Sequence, residues 1–302
     1  MKSEKTNSNL KMLLLALAAM AMWGSLYPFI KIGYAAFNIS ADNIPDILMF
    51  AAFRFTICGI FVCLLSLIKK EELEKPFRKS ILNITIMGLF AVVLHYAFTY
   101  VSLSLVDSSK TALLKQLGSL LYVCFAFLFI KEEKFSIYKL LGAIIGFCGI
   151  IAINSGISGI NFSFGDFMVL LASVCLVISF IISRLCVKSS SPYWVTGISQ
   201  LTGGIILLIT GIIMGGNPLV FTFKSTMVFT YICVMSVIGY TLFYYVQKTA
   251  MNSKLFIIKF AEPLFACVFS ALFLGENILK LQYLISFVLI SAGIILGSRN
   301  KE

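Results

Sequence analysis

Two lysines stand where a charge is costly. Lys115 falls about six residues into the apolar run 109–130, and Lys259 lies at a similar depth in the run 253–274. An ionised side chain inside such a run is rare and is retained where it pairs, lines water or meets a ligand. Glu262 follows Lys259 by one helical turn, on the same face. Paired ammonium groups are suited to holding an anionic group such as a carboxylate or phosphate. A carboxylate beside them either neutralises Lys259, leaving Lys115 as the free positive charge, or takes up a proton when desolvated. The bland alternative for each lysine is snorkelling along its flexible stem to the lipid headgroups.

Other side chains bear on the same chemistry. Thr111, Lys115, Ser119 and Tyr122 share one face at helical spacing, polar enough to line water. Tyr96, Tyr100, Tyr240 and Tyr244 form two pairs one turn apart and offer an amphipathic wall, with aromatic packing as the plainer reading. His95 is the only histidine in the chain. It suits either a proton relay or a hydrogen bond between helices. Arg54 lies mid-run and calls for a partner or a ligand, with Asp107 as a candidate partner. Trp23 and Pro28 mark a gate, a kink or an interfacial anchor. Gln116 and Gln200 add amide groups.

These residues are organised by a repeat. At a fixed offset of 144, Tyr96 meets Tyr240, Tyr100 meets Tyr244, Lys110 meets Lys254, Lys115 meets Lys259, Glu132 meets Glu276 and Gly149 meets Gly293. The chain reads as one unit written twice, residues 1–155 and 156–302, together forming one transmembrane domain.

The 302 residues are 60% hydrophobic and 12% charged, with a mean hydropathy of +0.99. Soluble domains carry roughly a quarter charged residues. The apolar runs are long enough to cross a bilayer core as helices, and they are continuous rather than alternating. The fold class is an all-α polytopic membrane protein. Ten spans are expected, near 11–33, 45–68, 81–104, 109–130, 138–155, 165–187, 192–214, 226–248, 253–274 and 279–298. The first is read as an uncleaved helix, because its apolar stretch is too long for an ordinary signal peptide. The net charge of +11 comes mainly from Lys and Arg in short loops, which speaks for topology rather than nucleic acid. With both termini in the cytoplasm, Lys69, Lys70, Lys75, Arg78 and Lys79 fall inside, and only Lys31, Lys110, Lys224 and Lys280 fall outside. Five spans per copy force the second copy to enter from the opposite side. The two five-helix repeats are then inverted, with a solute site expected at their interface. The 8 cysteines lie in or beside apolar runs without a CxxC, so neither disulfides nor a metal site is expected, and no cofactor either.

The order and spacing of several stretches resemble the drug/metabolite transporter superfamily, in its ten-helix EamA-type branch. Those stretches are Trp23-Gly-Ser25 with Lys31, Phe53-Arg54-Phe55, Tyr100-Val-Ser102 through Ala112, Glu262-Pro-Leu264, Leu274-Gly-Glu276 and Gly293. The first copy departs from the pattern at Ser119, where the second has Pro263, and at Ile130-Lys-Glu132. The resemblance implies a multi-pass protein of a bacterial cytoplasmic membrane with a central cavity. It also implies transport of small metabolites, often export of amino acids or related compounds. The expectation is a secondary carrier working by alternating access, with the bilayer and a small solute as its partners. Trp23, Arg54, Tyr96, Tyr100, Lys115, Ser119, Tyr240, Tyr244, Lys259 and Glu262 are the candidate substrate contacts, and Glu262 and His95 the candidate proton-coupling groups. Competing readings are a membrane-embedded lipid-modifying enzyme and a lipid-linked sugar flippase. No H-E-x-x-H, G-x-S-x-G or nucleotide-binding loop supports catalysis, so no catalytic residue is assigned.

Overall fold

The computed structural model describes residues 2–75, 77–125, 128, 136–156, 159–160, 162–249, 259 and 261–297. The described helices are α1 (Lys2–Ala36), α2 (Ile44–Ile68), α3 (Phe77–Gly88), α4 (His95–Leu105), α5 (Ser108–Leu114), α6 (Leu117–Phe125) and α7 (Ile137–Asn154). They continue with α8 (Phe164–Ser189), α9 (Pro192–Ile213), α10 (Phe223–Thr249), α11 (Ala261–Leu274) and α12 (Leu281–Gly297). A π-helical segment, Leu89–Leu94, joins α3 to α4 into one span. Two two-residue strands, Ser155–Gly156 and Gly159–Ile160, pair between α7 and α8.

Local chemistry sets the helix starts. Asn43 accepts from the amide of Asp46, and Pro45 occupies the first turn of α2, where its missing N–H costs nothing. Ser163 and Asp166 form a reciprocal capping box on α8. Ser191 caps α9 ahead of Pro192.

Six helical spans are long and apolar enough to cross a membrane: Met12–Ala36, Ile44–Ile68, Phe77–Leu105, Phe164–Ser189, Pro192–Ile213 and Phe223–Lys248. Shorter apolar helices occupy the other four expected positions. The distribution of side chains is that of a membrane protein. Ile213 and Leu281 are 79% and 71% exposed, whereas Arg54 and Gln200 are fully buried. Lipid tails solvate the apolar outside, and the polar groups find their partners within.

Two close crossings hold the centre. A Cβ on Gly24 would stand 2.9 Å from the carbonyl oxygen of Glu262, so α1 and α11 touch backbone to backbone. A Cβ on Gly293 would stand 2.5 Å from the carbonyl oxygen of Gly142, which packs α12 equally tightly on α7. Small residues permit such approaches where dispersion, not the hydrophobic effect, drives helix association. Elsewhere α2 packs on α9, α4 on α8, and α1 on α10 as well as α11.

The structure revises two sequence boundaries. The span expected at 109–130 is two helices, broken at Lys115 and Gln116. The span expected from 81 begins at Phe77 and contains the π segment. Most of the stretch 253–260 lies outside the described residues, and α11 takes up the chain at Ala261.

Candidate functional site

The break after α5 delivers Lys115 to the centre of the bundle. Its amide still bonds Thr111 O, but Gln116 N turns to Leu113 O and Gly118 N to Lys115 O, both three residues back. The helix tightens to a 3₁₀ turn at the lysine, the kind of local defect that re-aims a side chain. Lys259 stands in a turn just before α11, and Glu262 N bonds its carbonyl oxygen at 3.1 Å, again three residues back. The two lysines matched by the repeat therefore both sit in turns just ahead of a helix. Pro263 falls in the first turn of α11, where amides have no intrahelical acceptor, so it opens nothing.

The lysines converge on one cavity of about 40 Å³ between α1, α4, α8, α10 and the two breaks. That is room for about one to three waters. Lys115 Nζ lies 3.7 Å from Glu262 Oε1, and Tyr27 donates to the same oxygen at 2.9 Å. Lys259 Nζ lies 4.0 Å from the ring centre of Phe180, 5.7 Å from Phe243 and 5.8 Å from Trp23. Aromatic faces attract a cation electrostatically, most strongly where water is excluded. Lys259 is 2% exposed and Glu262 3%. One carboxylate thus serves a cavity lined by two ammonium groups.

The ion pair differs from the Lys259–Glu262 pair that is one of the two sequence readings. Lys259 and Glu262 share a helical face only if the helix is continuous, and here Lys259 precedes it. Its side chain runs along the aromatic wall, and the carboxylate meets Lys115 from the other copy instead. The α5–α6 break likewise dissolves the expected polar face. Thr111 Oγ1 lies 3.4 Å from Ser102 Oγ, Tyr122 is buried away from the cavity, and the side chain of Ser119 lies outside the described residues.

The other candidates divide into two layers. Trp23, His95, Tyr96, Tyr240 and Tyr244 line the cavity; Arg54 and Tyr100 stand one layer behind it. Tyr240 donates to Tyr96 Oη at 2.7 Å, so two residues matched by the repeat touch across the interface. His95 Nδ1 lies 2.9 Å from Ala172 O. A carbonyl only accepts, so Nδ1 carries the proton and ties α4 to α8. Arg54 does not reach Asp107. Asp107 precedes α5 and lies 3.4 Å from the Tyr283 hydroxyl, far along the bundle from the middle of α2. Arg54 bonds Ser236 and Tyr100 instead. Gln116 and Gln200 do not line the cavity.

Tyr27, Phe180 and Phe243 are cavity-lining positions that the residue pattern did not single out. Tyr27 follows Trp23 by one turn on α1 and so shares its face, which was the available signal. The rings from α8 and α10 carry no such mark.

At the end of the bundle carrying Lys31, one carboxylate ties several elements together. Glu276, between α11 and α12, accepts from the amides of Ser108 and Ser109 at 2.9 and 3.0 Å and from Ser109 Oγ at 2.5 Å. Lys31 Nζ lies 3.9 Å from it. The carboxylate caps the first turn of α5 and ties it to the far half of the chain.

This architecture matches a known family. The model of the EamA-like transporter family aligns with residues 10–155 and again with 163–299. The chain belongs to the EamA-like transporter family. Its relatives include an uncharacterized transporter of Archaeoglobus fulgidus, 24% identical, with 88% of this chain and 89% of that one aligned. The uncharacterized inner membrane transporter YedA of Escherichia coli K12 is 24% identical, over 91% of this chain and 86% of that one. A WAT1-related chloroplastic protein of Arabidopsis thaliana is 26% identical, over 51% of this chain and 40% of that one. Another protein's crystal structure has the same fold, with a TM-score of 0.64 at 19% identity over 95% of this chain and 96% of that one. Membership makes this EamA-like chain a multi-pass membrane transporter.

Proposed function

We propose that this EamA-like protein is a secondary carrier that exports small organic metabolites bearing a carboxylate, amino acids and related acids foremost. The observation that carries the reading is the charge arrangement of the central cavity. Lys115 and Lys259 line it, and Glu262, bonded to Tyr27, sits 3.7 Å from Lys115 alone of the two within ion-pair distance. A cavity with two ammonium groups and one carboxylate holds a surplus positive charge, which a solute carboxylate offsets. The aromatic wall of Trp23, Tyr240, Tyr244 and Phe243 suits the apolar body of such a solute.

Alternating access follows from the repeat read in the sequence. Two inverted five-helix units, 1–155 and 156–302, rock about the Tyr96–Tyr240 contact, with both termini in the cytoplasm. The Glu276 cluster then lies at the outer end and closes it in this conformation, and the small cavity is a solute site between openings. Export requires an energy source; Glu262 and His95 are the groups in the cavity able to move a proton.

The test is thermal stabilisation of the purified protein by neutral amino acids, carboxylates, sugar phosphates and polyamines. A ligand of the folded state raises the melting temperature with its occupancy. Stabilisation by carboxylates that disappears in Lys115→Ala, with loss of flux in vesicles and normal membrane insertion, is the expected result. Stabilisation by amines alone, or full transport by Lys115→Ala, overturns the reading.

A further inference from the structure

Arg54 is the strongest unanswered charge outside the cavity. It lies in the middle of α2 and is fully buried. Its Nε donates to Ser236 Oγ at 2.8 Å and its Nη1 to the Tyr100 hydroxyl. Nη2 is buried with no hydrogen-bond partner among the described residues. None of the described carboxylates lies within 4 Å of the guanidinium. The charge rests against aromatic rings instead, with Cζ 4.7 Å from the centre of Phe55, 5.4 Å from Tyr96 and 5.9 Å from Tyr100. Two hydroxyls and three ring faces offset only part of the cost of drying a guanidinium. A complete charge with an unused donor edge remains.

Tyr96 connects this charge to the cavity. Its ring lies 5.4 Å from Arg54 Cζ and 5.7 Å from Lys115 Nζ, so the two cations are at most about 11 Å apart. Tyr96 lines the cavity, held by its bond to Tyr240, and Arg54 stands directly behind it. The charges of the two layers also add up consistently. Lys115, Lys259 and Arg54 against Glu262 leave two positive charges, whereas the cavity layer alone leaves one.

We infer that the solute is a short dicarboxylate, one carboxylate held by Lys115 and Lys259 and the other by Nη2 of Arg54 once the Tyr96–Tyr240 pair parts. This deepens the carboxylate-carrier reading and rests on it. Taken in line, hydrogen bonds of about 3 Å at each end leave about 5 Å between the bound carboxylate oxygens. With carbon–carbon bonds of about 1.5 Å, that is the span of an extended chain of about four carbons, or of a bent chain of about five. A dianion neutralises both surplus charges, and Tyr96 and Tyr240 become available to flank its middle.

The experiment compares succinate with succinamate and glutarate with glutaramate on the purified full-length protein, by calorimetric binding. Each pair differs by one negative charge at nearly constant shape. The wild type is expected to bind each dianion about tenfold or more tightly than its monoamide, a difference typical of one added charged contact. Arg54→Gln is expected to reduce that preference to about twofold or less, the ratio of dianion to monoamide affinity being the readout rather than either affinity alone. Equal binding of dianion and monoamide by the wild type overturns the inference and leaves the carboxylate reading standing. This comparison needs no variant, so a misfolded Arg54→Gln does not blunt it. An Arg54→Gln protein that folds and keeps the preference also overturns it. Failure of all four compounds, with amines binding, overturns both readings together.

Discussion

Glu262 is the anion that allows two lysines to share one cavity, and its removal should be more damaging than removal of either cation. Glu262→Gln keeps the shape and a carbonyl oxygen for Tyr27 but leaves Lys115 and Lys259 in a dry cavity with no carboxylate. Breaking a buried pair so that charge is left uncompensated costs about 3–5 kcal/mol. At an unfolding entropy of about 2.1 cal/mol/K per residue, a chain of 302 residues loses about 5–8 °C of melting temperature. Lys115→Met leaves Glu262 bonded to Tyr27 with Lys259 still in the cavity, so its cost is smaller, about 1–3 kcal/mol. The double variant should lose less than the two single variants combined, by at least about 1 kcal/mol, because the residues contact one another. Thermal unfolding of the four proteins in one detergent measures this. Added carboxylate should also stabilise Glu262→Gln more than the wild type, since the ligand supplies the missing anion. Equal losses from the two single variants, with additivity in the double, would refute the charge balance argued for this cavity.

Three further expectations follow from the same geometry. Tyr27→Phe removes a 2.9 Å hydrogen bond to a carboxylate and should cost about 1.5–3 kcal/mol, read as a melting shift of about 2–5 °C. Gly24→Val drives a side chain into the backbone of Glu262 and Ala266 and should separate α1 from α11, lowering the yield of folded protein in size-exclusion profiles; a normal profile would contradict the close packing. Glu276→Ala strips the cap from Ser108 and Ser109 and should cost about 0.5–2 kcal/mol. It should also raise the labelling of a cysteine placed at Leu103, a cavity-lining position, by a membrane-impermeant thiol reagent added from outside; unchanged labelling would argue against Glu276 as a seal.

The all-helical membrane architecture was legible because hydrophobic length is a long-range, redundant signal. Continuous apolar runs specify spanning helices whatever their exact ends. The lysine at position 115 was legible as an anomaly, because a charge within such a run is expensive. What the sequence did not reveal was the break at that lysine. Leu114-Lys115-Gln116-Leu117 contains neither proline nor glycine, and its 3₁₀ turn is imposed by packing rather than by propensity. That break removed Thr111 and Tyr122 from the cavity wall, while the turn at Lys259 ahead of α11 leaves Glu262 to pair with Lys115. Phe180 and Phe243 were illegible for a different reason. Among 28 phenylalanines, which ring faces an ammonium is decided by how helices rotate against one another, and that is a tertiary property.

The position that the repeat matches to Glu262 is Gly118, and the difference has a lesson for how a duplicated chain acquires polarity. Tyrosine can face its own counterpart, because a hydroxyl both donates and accepts; Tyr96 and Tyr240 do so. A carboxylate duplicated in the same manner would give a balanced cavity with as many anions as lysines and nothing left to attract a solute. The first copy leaves little room for one. A Cβ at Gly118 would already press to 3.1 Å from the carbonyl oxygen of Ser173 on α8. Crowding on one side thus leaves three charged groups, an odd number, in the cavity of a nearly even molecule.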